Sequence, residues 1–374
     1  MIIGIDASRA NNDKKTGVEW YAWHVVQQLK EIIPADVQVV LYTDRPLEGT
    51  LAQLPNNWQE KVLRWPPRRL WTQLRLSIEM LLHKPDVLFT PAHVYPLIHP
   101  KRTVMTVHDV AALWYPEAFS RFERWYSVWF AKRAVKELWR VIVPSEFTKE
   151  ELAALLQKPI NQLDNVHTIY HGYDDRYTLV QSEQDVAAVR DRYNLPKQFF
   201  LYIGRLEEKK NVANIIRAYS RFCAKRGESA PHLVLVGKPG YGYEAVQHAI
   251  AESTCQSRIH QLGWVPTTDA VLLMNAADAL LFPTHYEGFG MPVLEAFASG
   301  TPVVAARGNS VEEIGADAPA YVDPDSVYSI ENAMMVLVDN PKLWKRKVLL
   351  GLERAEHFSW FTCACETWNV ISGQ

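Results

Sequence analysis

The sequence predicts an α/β protein of two domains, each built on a parallel sheet. Three observations carry that reading. The chain has 374 residues, more than one core usually holds, since single hydrophobic cores stop growing at about 250–300 residues. Short apolar, β-branched runs alternate with longer stretches of helical period, and unbroken apolar strands are those covered by helices on both faces of a parallel sheet. The series then restarts near Phe199, where a strand, a turn at Gly204 and a long helix recur as they do at the N-terminus.

In chain order the first set of strands is Ile2–Ile5, Val37–Tyr42, Val87–Thr90, Thr103–Val107 and Val141–Pro144. The second set is Phe199–Ile203, Leu233–Val236, Ala279–Pro283 and Pro302–Ala305. Between them lie helical patterns over Glu19–Ile32, Phe122–Trp139, Asn214–Ala224 and Pro292–Ala298. The segment Asn165–Tyr193 is of mixed polarity and reads as a linker between two Rossmann-like halves, residues 1–172 and 173–356.

Composition narrows the function classes. Hydrophobic residues make up 48% and charged residues 22%, a globular balance and not that of a disordered chain. With 40 basic and 42 acidic residues the net charge is −2, which argues against a nucleic-acid partner and confines any basic surface to local patches. The start MIIGIDAS reads as a strand, not a signal peptide, and no run of about 18 apolar residues implies a membrane span. Cys223, Cys255, Cys363 and Cys365 form no C-x-x-C pair. Neither structural zinc nor a disulfide framework is expected, and a cytoplasmic setting is the simplest expectation.

Four constellations can carry chemistry. In Thr284-His285-Tyr286-Glu287-Gly288-Phe289-Gly290-Met291-Pro292-Val293-Leu294-Glu295 a strand ends and a helix begins. Pro292 suits the first helical turn. Gly288 and Gly290 let backbone approach a ligand, and the helix start offers N–H groups and a positive dipole end to a phosphate. Glu287 and Glu295 would then accept hydrogen bonds from sugar or ribose hydroxyls; the plainer reading is a tight turn and an ordinary helix-start glutamate. Gly204-Arg205-Leu206-Glu207-Glu208-Lys209-Lys210-Asn211 also joins a strand to a helix. Arg205 and Lys210 can neutralise a diphosphate, whereas Lys209 reads as a solvated loop charge. Thr106-Val107-His108-Asp109 puts His108 at a strand end, to meet a donor sugar or a reacting hydroxyl, unless it is one more structural histidine. The loop from Asp6 to Gly17 lacks the G-x-G-x-x-G fingerprint, which argues against a dehydrogenase, and Gly17 lets an amide approach a phosphate.

Two stretches mix basic residues with tryptophan. One holds Lys61, Arg64, Arg68, Arg69 and Arg75 with Trp65 and Trp71; the other, of helical period, holds Arg124, Lys132, Arg133, Lys136 and Arg140 with Trp125 and Trp129. Such a mixture suits a peripheral anionic membrane surface or a pyrophosphate-linked acceptor, and the favoured reading is the charged outer face of an amphipathic helix.

Taken together these strings resemble the retaining glycosyltransferases of family 4, the group 1 enzymes, over nearly the whole chain. The most specific part is Glu287 to Glu295 within EGFGMPVLEAFASGTPVV; GRLEEKKN, TVHD, TGVEWY, PSEFT and HGYD match further segments. The resemblance implies a GT-B fold, two Rossmann-like domains with parallel sheets facing a central cleft. It implies that HFSW (His357–Trp360) starts a final helix, about residues 357–374, that returns to the N-terminal domain. It implies Glu287 on the donor sugar, Glu295 on the ribose, and backbone around Phe289, Gly290 and Met291 on the sugar or distal phosphate. Arg205 and Lys210 would hold the phosphates without a metal, beside Gly204 and Gly288, and His108 would orient the reacting groups. Gly17 would lie near the donor phosphate, although Glu19 and Trp20 replace the family's usual Gly and Arg. The implied substrates are a nucleotide-sugar donor, GDP-mannose ahead of a UDP-sugar, and a glycan or lipid-linked acceptor, with no cofactor. A nucleotide-sugar epimerase of the same fold and a non-catalytic nucleotide-sugar binder share these signals.

Overall fold

A computed structural model describes residues 1–12, 15–66, 70–180 and 182–374. The chain divides into two compact units, Met1–Gly172 with Ser359–Gln374, and Tyr173–Phe358. Arg68 and Arg69 of the first basic stretch, and Lys14 of the first loop, lie outside the described residues.

The first unit holds a seven-stranded sheet of β1 (Ile2–Asp6), β2 (Gln38–Thr43), β3 (Trp58–Val62), β4 (Val87–Thr90), β5 (Arg102–Thr106), β6 (Arg140–Val143) and β7 (Val166–Thr168), in the order β3-β2-β1-β4-β5-β6-β7. The second holds β8 (Phe199–Ile203), β9 (His232–Val236), β10 (Ile259–Gly263), β11 (Ala279–Phe282), β12 (Val303–Ala306) and β13 (Ala320–Val322), in the order β10-β9-β8-β11-β12-β13. Every pairing is parallel. In each sheet the strand order reverses once, between β1 and β4 and between β8 and β11. Ligands in such sheets bind outside the carboxyl ends at that reversal.

Two expectations need correction. The segment Asn165–Tyr193 joins the two units, which meet in sequence at Gly172 and Tyr173, but it is more than a linker: it supplies β7, paired with β6, and a helix over Glu183–Arg192. Four strands lie beyond those expected from sequence, β3, β7, β10 and β13, and these are the four sheet edges. Edge strands are partly solvated, so β3, β7 and β10 carry polar residues where a central strand is continuously apolar, and β13 has only three residues. Trp58-Gln59-Glu60-Lys61-Val62 is the clearest case, with only its first residue buried.

The helices follow local signals. Gly17–Ile32 begins at a capping box in which the Thr16 and Glu19 side chains and backbone bond reciprocally. It buries Tyr21, Ala22, Val25, Val26 and Leu29, one stripe of a 3.6-residue repeat. Trp360–Ser372 is capped by Ser359, whose hydroxyl accepts from the Thr362 amide. It packs on Gly17–Ile32 within the first unit, where Trp360 stacks on His24 at 4.8 Å. Among the described residues no helix is long and apolar enough to cross a membrane.

At Gly172 the chain leaves the first unit, close against Ser359 and Trp360. A Cβ there would stand 2.2 Å from the Trp360 amide nitrogen, and backbone cannot yield as a flexible side chain can. Gly172→Ala is therefore expected to cost about 1–3 kcal/mol of stability, the usual range for overpacking. Urea unfolding of the variant checks this; an unchanged midpoint would mean that this approach of chain segments is not tight.

Candidate active site

The loops after β8 and β11 flank the reversal point of the second sheet. These strands pair directly, Ala279 with Phe200 and Leu280 with Leu201, although about 80 residues separate them in sequence. Their carboxyl ends therefore deliver Gly204–Asn211 and Pro283–Gly290 side by side. Across the gap Lys210 forms an ion pair with Glu287. Both side chains are mostly buried, 14% and 16% exposed, so two sequence-predicted residues meet in a partly dehydrated setting.

The pair is held by its surroundings. Asn211 sits in the left-handed region at φ +61°, a conformation that asparagine tolerates better than most residues. Its amide donates to the carbonyls of Pro283 (2.9 Å) and Pro324 (2.7 Å). Asn309 donates to the Thr284 carbonyl at 2.8 Å, and the Ser310 hydroxyl to the Glu287 carbonyl at 2.7 Å. The His285 amide donates to the Lys209 carbonyl at 3.0 Å. Both loops are thus tied to each other and to their own sheet. Asn309 and Ser310 carry no signal in the sequence, because their contribution is a hydrogen bond to a distant loop.

Arg205 is two-thirds exposed, and its Nε lies 3.8 Å from Glu207. It is the cation of this loop most open to a ligand. Lys209 differs from expectation: its side chain is only 20% exposed and its ammonium lies 3.6 Å from Glu207. The β8 turn is closely built, since a Cβ on Gly237 would fall 1.7 Å from the Gly204 carbonyl oxygen. Gly237 has φ +145° and Gly204 φ +149°.

Gly290, at φ +100°, caps the helix Met291–Ala298, with Pro292 in its first turn. Gly288 is buried, and Phe289 turns its ring into the core, edge-on to Phe358 at 6.1 Å, which leaves backbone as the part of Phe289 that can serve a ligand. Glu295 lies one turn into this helix beside Tyr177 and near Asp174 and Arg176. Burial, then the Asp174 charge, push its carboxyl up to about 8, against partial relief from a Tyr177 hydrogen bond and Arg176. Asp174 is itself clasped by the Arg176 guanidinium, at 2.9 and 3.0 Å from Nε. The neighbours of Glu295 come from the segment just after residue 172, which the sequence pattern presents as linker.

In the first unit His108 follows β5 and is 7% exposed. Its Nε2 lies 3.2 Å from the Pro91 carbonyl. A carbonyl only accepts, so Nε2 carries the proton and Nδ1 keeps its lone pair. Burial first, and His93 second, lower its pKa to about 3, so the ring is neutral at pH 7. Tyr21 at 4.6 Å and His171 at 5.6 Å complete the surround. Gly17, the first residue of its helix, is exposed. The neighbouring Glu19 is occupied in the capping box and lies 3.4 Å from Arg9.

Two family models cover most of the chain: Glycosyltransferase Family 4 over residues 15–177 and Glycosyl transferases group 1 over residues 186–348. The chain belongs to these glycosyltransferases. Among its relatives, the O-antigen chain mannosyltransferase B of Escherichia coli is 28% identical over 306 residues, spanning 82% of this chain and 77% of that one. The O-antigen chain mannosyltransferase RfbU of Salmonella typhimurium is 24% identical over 333 residues, 85% and 86% of the two chains. Sucrose-phosphate synthase from Thermosynechococcus elongatus superposes with a TM-score of 0.76 at 18% identity, covering 100% of this chain and 98% of that one. Anabaena HepE, solved with UDP and glucose, gives 0.74 at 19%, covering 100% and 99%. At such identities the structural likeness shows the fold, which is GT-B.

The neutral state of His108 in this glycosyltransferase has a thermodynamic signature. Between about pH 3 and the ordinary 6.5 the unfolded chain binds a proton at this ring and the folded chain does not. Stability from this group is present above 6.5 and falls with falling pH, by about 1.4 kcal/mol per pH unit. Raised carboxyls such as Glu295 titrate with the opposite sign, so the comparison of wild type with His108→Gln isolates the imidazole. The stability difference between the two, from urea titrations at pH 6.0 to 4.5 (about 1.5 units), is expected to shrink at that rate. A difference independent of pH would show that the ring already carries its proton when folded.

Proposed function

We propose that this glycosyltransferase moves a hexosyl group, with mannose from GDP-mannose first among donors, onto a glycan or lipid-linked acceptor of a cell-surface polysaccharide, retaining the anomeric configuration. The observation that carries it is the Lys210–Glu287 pair at the reversal point of the second sheet, flanked by Arg205 and by the start of the Met291–Ala298 helix. The choice of mannose is supported by the two O-antigen mannosyltransferases among its relatives.

The residues divide the work by charge. Glu287 accepts hydrogen bonds from donor-sugar hydroxyls, and Lys210 and Arg205 face the diphosphate, as do backbone groups from Phe289 to Met291. Glu295, kept protonated by its surroundings, meets the ribose hydroxyls. In the transfer the bond from C1 to the phosphate oxygen breaks, with its electron pair staying on the phosphate. The acceptor oxygen bonds to C1 from the same face, and its proton passes to the departing phosphate oxygen. The two cations stabilise the charge that develops there, and electrostatic stabilisation of this kind is usually what lowers an enzyme's barrier most. His108, being neutral, orients by hydrogen bonding and adds no charge. These cations support a metal-independent reaction.

Thermal unfolding with GDP-mannose, UDP-glucose, UDP-N-acetylglucosamine and dTDP-rhamnose tests the donor: one nucleotide family should raise the midpoint, and a shift with UDP-sugars alone would overturn the GDP-mannose assignment. Glu287→Ala is expected to lower kcat by about a hundredfold or more while GDP affinity stays nearly unchanged; normal turnover would remove Glu287 from the mechanism. For Arg205→Ala, calorimetric titration with GDP should show a loss of about 1.5–3 kcal/mol, the worth of a charged hydrogen bond. EDTA should leave the transfer rate as it was, and a loss restored by Mg²⁺ would refute metal independence.

A further inference from the structure

The second unit carries a pair of thiols that transfer chemistry does not use. Cys223 lies in the last turn of the helix Val212–Arg226, on the buried stripe of Ile216, Tyr219 and Phe222. Cys255 is partly buried, in the short connection between the helix Tyr243–Ala251 and β10. The two are 32 positions apart in sequence. Packing of one helix on the other brings them together, with Cys223 in the core and Cys255 against it.

Polar contacts hold the two segments in register. The Ser220 and Ser253 hydroxyls are 2.7 Å apart. The Ser253 hydroxyl accepts from the Cys255 amide at 3.3 Å and lies 3.4 Å from its Sγ. Ser220 stands one turn before Cys223 and shares its side of the helix. A serine pair and a thiol pair thus bridge the same segments, and the two thiols are in hydrogen-bonding contact. Arg258 adds a positive charge nearby, with its Nη1 donating to the carbonyls of Gly227 (3.1 Å), Glu228 (3.1 Å) and Ala230 (3.2 Å). The two sulfurs are unequal. Burial pushes the Cys223 thiol up to about 12, against partial relief from a Tyr219 hydrogen bond, so it keeps its proton. Cys255 is the one that solvent and a small oxidant reach. A reachable sulfur beside a protected one is the arrangement of an attacking and a resolving thiol.

We propose that Cys223 and Cys255 are a reversible oxidation site, closed to a disulfide by a peroxide. The Cys255 sulfur attacks hydrogen peroxide: an S–O bond forms, the O–O bond breaks, and one water leaves. The Cys223 sulfur then attacks the Cys255 sulfur. The S–S bond forms, the S–O bond breaks, and the departing hydroxide takes the Cys223 proton as a second water. Two electrons pass from the two thiols to one peroxide. The bond ties the end of Val212–Arg226 to the segment before β10, near the amino ends of β9 and β10. Arg205 and Lys210 follow the carboxyl end of β8, so the brace lies away from the site loops. The inference is independent of the donor and of the transfer mechanism.

The test treats the full chain with hydrogen peroxide, blocks the remaining thiols, and maps tryptic peptides by mass spectrometry without reductant. One cross-link is expected, between the peptides of Cys223 and Cys255, with the loss of two hydrogens and full reversal by dithiothreitol. Closing a loop of this length should also raise the apparent thermal midpoint by about 5 °C or more. Cys255→Ser is expected to abolish both the cross-link and the rise, while its midpoint in dithiothreitol matches that of the wild type. Unchanged thiol content after peroxide, or sulfinic acid at Cys255 without the cross-link, would overturn the proposal. So would a bond that uses Cys363 or Cys365 or joins two chains, or a peroxide-dependent rise that survives in Cys255→Ser.

Discussion

The candidate site depends on the adjacency of β8 and β11. Neither Lys210 nor Glu287 is distinctive alone; each follows a strand end, and their meeting is a property of sheet order. Had the chain placed β11 elsewhere, the cation and the carboxylate would occupy different gaps. Parallel pairing needs a crossover between neighbouring strands, and the residues between β8 and β11 supply β9, β10 and their helices, which build the sheet outward on one side. Asn211, Asn309 and Ser310 then fix the two loops by hydrogen bonds to backbone carbonyls. Side-chain anchors of this kind give a loop the rigidity of the element it follows, and a site needs that if its charges are to be in place before the ligand arrives.

Each unit turns neutral one candidate group that solution chemistry would leave charged or partly charged. Burial raises Glu295 and lowers His108, in each case toward the uncharged form. The common cause is the cost of keeping a charge away from water. Lys210 and Glu287, also mostly buried, stand against each other as opposite charges.

Much of this is legible in the sequence, and the gaps have physical causes. Central strands can be read because both their faces are buried and their residues are continuously apolar; Leu280, Leu281 and Phe282 are examples. Edge strands escape because solvent takes one side, as with Trp58–Val62. Glu287 and Lys210 can be named from loop motifs at strand ends, whereas their ion pair requires the strand order, which no local pattern carries. Residues 173–177 look like linker because their task is to surround Glu295, about 120 residues further on.

The helix Trp360–Ser372 has a consequence for how the molecule is made. It belongs to the unit that the N-terminus begins, and it packs on the first helix of the chain. Tyr21 and Trp360, 339 positions apart, have ring centroids 6.0 Å from each other. During synthesis the first unit therefore waits for its last piece, while the second, one uninterrupted segment, has all its strands and can close sooner. Domains that emerge first usually fold first; this connectivity makes the older part of the nascent chain the later one to be completed. Until Trp360–Ser372 packs in place, the side of Gly17–Ile32 that carries Tyr21 and His24 lacks the Trp360 ring that both of them meet.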